Sequence, residues 1–115
     1  MLREVGAIGQ ARIRAGAVRV IGVGPAAEEA AFYLVAAGVG RVLLEAGLTA
    51  RHGERLSELN PGVEFASSAV DAIEVEPQNE LRRADGARAA LLALLRLSGA
   101  ARIEAWRDDP PPSTA

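Results

Sequence analysis

The sequence predicts a three-layer α/β domain on a mostly parallel sheet of four to five strands, and three observations carry that expectation. Short apolar runs alternate with segments of helical length, the pattern of parallel strands joined by helical crossovers. Half the residues are apolar but only 3% are aromatic, and Ala and Gly abound, as suits close approach of helix to sheet. The third is the stretch Val18 to Val42, VRVIGVGPAAEEAAFYLVAAGVGRV, where an apolar run ends in Gly22-Val23-Gly24 and an Ala-rich segment follows. Gly38 and Gly40 close that segment before a second apolar run begins. Strand, tight glycine turn, helix and strand in that succession open a Rossmann-like sheet.

Taken in order, Leu2, Val5, Ile8 and Ala11 recur at helical spacing among charged residues and predict an amphipathic helix that stops near Gly16. After the central unit, Arg41 to Glu45 reads as a short strand and Ala46-Gly47 as a turn. Thr49 then caps a helix through Leu56 and Leu59 to Asn60, where Pro61 and Gly62 end it. Val63 to Phe65 is a third strand and Val70 to Val75 a fourth, broken by Pro77. The last long helix lies within Glu80 to Ser98, with Leu81, Ala84, Leu91, Leu92 and Leu95 on one face and a possible restart at Asp85-Gly86; Gly99 stops it. Arg102 to Trp106 alternates as an edge strand. The expected organisation is one domain over residues 1–107 and a flexible Pro-rich tail over 108–115.

The glycine turn sets the functional question. Gly22 and Gly24 let the backbone turn sharply, and the free N–H groups of the following helix would face a phosphate. Against a nucleotide stand three residues: Ala27 in place of the third glycine of G-x-G-x-x-G, Pro25, which offers no N–H, and the Glu28-Glu29 pair. Two like charges about 4 Å apart at a partly exposed site repel by roughly 4 kcal/mol, more than a helix dipole returns. The turn is therefore expected to hold ATP weakly or not at all, with Gly22, Gly24, Ala27 and, for the ribose, Glu45 as the candidate contacts.

Composition narrows the classes. Thirteen basic and fifteen acidic residues give a formal charge of −2 with no basic run, which argues against nucleic acid. The absence of cysteine excludes disulfides, zinc ribbons and a thioester-forming nucleophile. No apolar stretch of about 20 residues suggests a membrane span, nor does the N-terminus read as a secretion signal, so the cytoplasm is the default location.

The stretches IGQARIRAGAVRVIGVG, YLVAAGVGRV and ERLSELNPGVEF, in this order, resemble the N-terminal half of the ThiF/MoeB/HesA proteins, adenylyltransferases related to ubiquitin-activating enzymes. Gly9-Gln10, Ala37-Gly38-Val39-Gly40 and Leu59-Asn60-Pro61 carry the resemblance, over residues 5 to 65. It implies a glycine turn that binds MgATP, and adenylation of the C-terminal glycine of a small carrier protein. The departures fall on the chemistry. Between Val42 and Thr49 the family's ribose-binding aspartate and Asn-x-x-Arg-Gln stretch are missing, and Glu45 stands one residue early. The phosphate-facing arginine and lysine, the magnesium-binding aspartate, the CxxC pairs and the cysteine nucleophile have no counterparts.

His52, the only histidine, is expected to face solvent; Asp71 reads as a turn or edge residue before a magnesium ligand, Arg82 and Arg83 as a solvated helix face, and Trp106 as core or an interface anchor. The function expected is that of a degenerate ThiF-like pseudoenzyme, a binding or assembly module that forms a homodimer, has no catalytic residue and needs no cofactor or metal. Two alternatives stand beside it: an ATP-binding adenylyltransferase subunit completed in trans, and a domain that recognises a peptide or carrier protein.

Overall fold

In the computed structural model, residues 2–99 are described; the expected strand Arg102 to Trp106 and the Pro-rich tail lie outside them. The chain runs α1 (Leu2–Ala15), β1 (Ala17–Val20), α2 (Pro25–Ala36), β2 (Arg41–Leu43), α3 (Ala46–Leu59), β3 (Glu64–Phe65), β4 (Ile73–Val75) and α4 (Arg83–Ser98). The four strands form one sheet in the order β3-β2-β1-β4, and every neighbouring pair is parallel. This is the Rossmann-like α/β arrangement, with β1 central and the chain reversing direction across the sheet between β3 and β4.

Strand alternation separates the two faces of the sheet. Val18, Val20, Val42 and Val75 share one buried core with Ala27, Ala30, Ala31, Leu34 and Val35 of α2, Leu48 and Leu56 of α3, and Ala90 and Ala93 of α4. The helices touch one another in the spatial order α3, α2, α4, α1, so α2 is the hub of that layer. The opposite side of the strands carries Ala17, Arg19, Arg41, Leu43, Glu64 and Glu74, and Arg19 and Glu74 are register partners there. Asp71, in the connection from β3 to β4, lies 3.8 Å from Arg41 in an exposed ion pair.

Local sequence accounts for the hub. Pro25 begins α2, where its missing N–H costs nothing, and Gly24 is the N-cap. At the other end Gly38 adopts φ 98. The Gly38 N–H donates to Val35 O (3.1 Å) and the Val39 N–H to Leu34 O (3.1 Å), the paired bonds of a Schellman stop. Val39 and Leu34 are both fully buried, which supplies the apolar contact that accompanies this motif. Asn60 ends α3 in a comparable way: its N–H reaches Leu56 O, its side-chain amide Val35 O, and its side-chain oxygen accepts from the Gly62 N–H.

Several expectations are corrected. α3 starts at Ala46, with Glu45 as N-cap, so Thr49 lies inside the helix and caps nothing. Gly47 reads as a breaker in the sequence, but in a first turn it breaks no intrahelical bond, since those N–H groups lack helical partners in any case. The strand expected from Val70 begins only at Ile73; Val70 is fully exposed beside a turn in which the Ala72 N–H donates to Ala69 O. Among the described side chains of α1, those of residues 7–15, Gly9 and Ile13 turn inward while Ile8 and Ala11 are exposed; Leu2 and Val5 lie outside them.

The largest correction falls on α4. Leu81 precedes the helix and is 80% exposed, Ala84, Leu91 and Leu92 are exposed, and Leu95 is half-buried. The fully buried residues of the helix are Gly86, Ala90 and Ala93, packed toward the equally small Ala26, Ala27 and Ala30 of α2, with Ala89, Leu94 and Leu97 partly buried beside them. A Cβ at Gly86 would overlap the Ala26 carbonyl, so the two backbones run too close for leucine between them. Asp85 does not restart the helix; it lies in a first turn that begins at Arg83.

Candidate functional site

The glycine turn lies at the C-terminal end of β1, where ligands of open parallel sheets bind. Gly22 takes φ 109, a left-handed conformation that explains the glycine, while Gly24 is extended. Ala27 is fully buried and faces Gly22, so the residue in place of the third glycine packs helix on strand.

The turn is already filled by the chain itself. The Ala26 N–H, at the start of α2, donates to Glu80 O at 2.9 Å. The Glu80 carboxylate lies over the Cα of Gly22, where a Cβ would overlap its Oε1, and the Glu80 backbone also packs against Gly24. A phosphate approaching the turn would thus meet a carboxylate and a carbonyl oxygen in the space it needs. Glu45, the ribose candidate, is exposed at the end of β2 and makes no side-chain cap bond.

Glu28 and Glu29 behave differently from the sequence expectation. The Glu28 carboxylate, 15% exposed, gathers two guanidinium groups and an imidazole: Arg83 Nη2 at 3.1 Å, His52 Nε2 at 3.2 Å and Arg51 Nη1 at 3.4 Å. Arg83 Nη1 also lies 3.7 Å from Glu29. The His52 ring, then Arg83 and Arg51, hold the Glu28 carboxyl below its usual pKa, while burial works in the opposite direction. The charge expected to repel a phosphate from Glu28 is therefore compensated within the fold, and Glu80 is the acid that confronts the turn.

His52 is not the solvent-facing residue expected: its side chain is 19% exposed, its ring meets Phe32 edge-on at 5.5 Å, and both ring nitrogens are buried without an aligned hydrogen bond, Nε2 meeting Glu28 by proximity alone. Arg51 straps α3 to the turn, donating to Val23 O at 2.8 Å and Gly47 O at 3.3 Å. Arg83, read as part of a solvated face, instead closes an ion pair with a residue 55 positions away. The structure thus brings Gly22, Gly24 and Ala27 together with Glu28, Arg51, His52, Glu80 and Arg83. Glu80 and Arg51 were missed by sequence reasoning, and no local pattern announces either.

Beyond the turn, a recess of about 480 Å³ opens at the carboxyl ends of β2 and β3, where Leu44, Thr49, Ala50, Phe65, Ala66 and Ser67 are among its lining residues. Among the described residues no three His, Cys, Asp or Glu side chains are grouped to hold a metal ion, and no helix is long and apolar enough to cross a membrane. Compared with protein-family models, with curated proteins and with solved structures, the chain matches none.

Proposed function

We propose that the chain is a binding or assembly module, a shortened relative of the ThiF/MoeB/HesA proteins that keeps the Rossmann-like frame without adenylation chemistry, and that it works as a cytoplasmic homodimer. One observation carries this reading: Glu80 occupies the glycine turn and its carbonyl takes the Ala26 N–H that a phosphate would need. Nucleotidyl transfer depends on cations positioned around the phosphates. Arg51 and Arg83 are the cations at hand, and both are committed to Glu28. That weighs against a subunit that binds ATP and is completed in trans. Self-association is supported by the apolar residues left on the surface, Ile8 at 55%, Leu91 at 54% and Leu92 at 53% exposure.

Calorimetric titration with MgATP tests the reading. A dissociation constant near or above about a millimolar, or about −4 kcal/mol, is expected, with no pyrophosphate exchange. A micromolar constant that Gly24→Val abolishes would overturn it. Light scattering tests the assembly: a dimer is expected, and a 12.0 kDa particle at micromolar concentration contradicts it.

A further inference from the structure

The connection from β4 to α4 is the segment that crosses the glycine turn. Pro77 is buried and anchors it, but Gln78, Asn79, Glu80, Leu81 and Arg82 are all exposed although the segment lies across a buried glycine. A local turn shapes it: Asn79 Oδ1 accepts from the Leu81 N–H at 3.0 Å and Asn79 O from the Arg82 N–H at 3.1 Å. Its attachments to α2 are the bond from the Ala26 N–H to Glu80 O and, one residue beyond it, the pairing of Arg83 with Glu28 and Glu29. A segment with few apolar contacts and solvent-exposed hydrogen bonds belongs to the low-stability end of a fold.

We propose that residues 78–82 form an occluding strap over the glycine turn, latched by Arg83 onto Glu28, which opens locally while the rest of the domain stays folded. Opening frees the Ala26 N–H and uncovers Gly22 and Gly24. The strap goes beyond the proposed function, because it concerns whether the closure seen at the turn is reversible, whatever partner the module serves. Arg83 acts here as a positioning residue: it holds the C-terminal end of the strap and touches no part of the turn itself.

Amide hydrogen exchange followed residue by residue tests this on the full chain. The Ala26 amide is expected to exchange faster than the amides of Ala90 and Ala93 inside α4. Arg83→Gln should speed Ala26 about fivefold, the scale of an exposed ion pair, without changing the α4 amides. Arg83→Lys should restore most of the protection. Asn79→Ala, which removes the turn inside the strap and leaves the ion pairs intact, should act in the same direction if Arg83→Gln fails to fold. An Ala26 amide that exchanges only together with Ala90 and Ala93, or one that ignores both substitutions, overturns the strap. Nucleotide titration answers a separate question, so the strap and the proposed function can fail independently.

Discussion

Two close approaches are made to the first turn of α2, and different forces hold them. On one side α4 comes so near that Gly86 faces the Ala26 carbonyl, and the contact continues along Ala90 and Ala93 as a seam of small apolar residues. On the other side the segment around Glu80 crosses Gly22 and Gly24, held by one backbone hydrogen bond and by the charges that converge on Glu28. Glycine permits both contacts. The seam is fixed by shape and buried area, whereas the crossing depends on ionisation and exposed polar bonds. Strong and weak attachment thus meet on a single helical turn.

Gly86→Val should have the largest effect. Its side chain would collide with backbone that cannot rotate away, and overpacking of this kind costs about 3 kcal/mol. Thermal denaturation should show a midpoint lowered by roughly 12 °C for a domain of this size. An unchanged midpoint would mean that α2 and α4 lie too far apart for a Cβ at Gly86 to meet the Ala26 carbonyl.

Glu28→Gln comes next. It removes the common partner of Arg51, His52 and Arg83, but those side chains are 54%, 19% and 57% exposed and water recovers part of the loss. Urea unfolding should report a destabilisation of about 1 to 2 kcal/mol, the range for a charged hydrogen bond at a partly exposed site. A neutral result would leave the backbone bond from Ala26 to Glu80 as what holds the crossing segment on this turn.

The pH dependence should separate the two sides. The folded state lowers the pKa of Glu28, so its contribution is complete above the ordinary glutamate value and is lost as pH falls through the lowered one. Stability should decline on acidification below about pH 4, and the gap between wild type and Glu28→Gln should narrow there. Gly86→Val carries no such linkage. Its deficit relative to wild type should therefore stay constant over the same range.

The smallest expected effect on folding is that of Leu91→Gln with Leu92→Gln. Both side chains are more than half exposed, so monomer stability should change by no more than about 0.5 kcal/mol. Light scattering should nevertheless shift toward the monomer if this face supports self-association. A dimer that survives both changes would place the contact elsewhere.

Features that rest on residues close along the chain are legible before folding. The Gly38 stop of α2, the end of α3 at Asn60-Pro61-Gly62 and the left-handed Gly99 after α4 are each completed by hydrogen bonds within a few residues, while the glycine turn and the Pro25 start rest on the backbone conformations those residues favour. Backbone propensity and capping therefore reveal them, and with them the order of strands and helices that makes a parallel sheet. Only the tertiary structure decided the rest. By hydrophobicity alone Leu91, Leu92 and Leu95 belong on the inward face of α4, but the neighbouring helix offers Ala26, Ala27 and Ala30, and close backbone packing there buries Gly86, Ala90 and Ala93, with Leu94 and Leu97 packed partly against the core. The candidate site divides in the same way: Gly22 and Gly24 are legible because a turn needs them, while Glu80 and Arg83 reach α2 across more than half of the described chain. Charge pairing and close packing between distant segments leave no local spacing to read, which is why the residue that fills the turn could be found only in the folded chain.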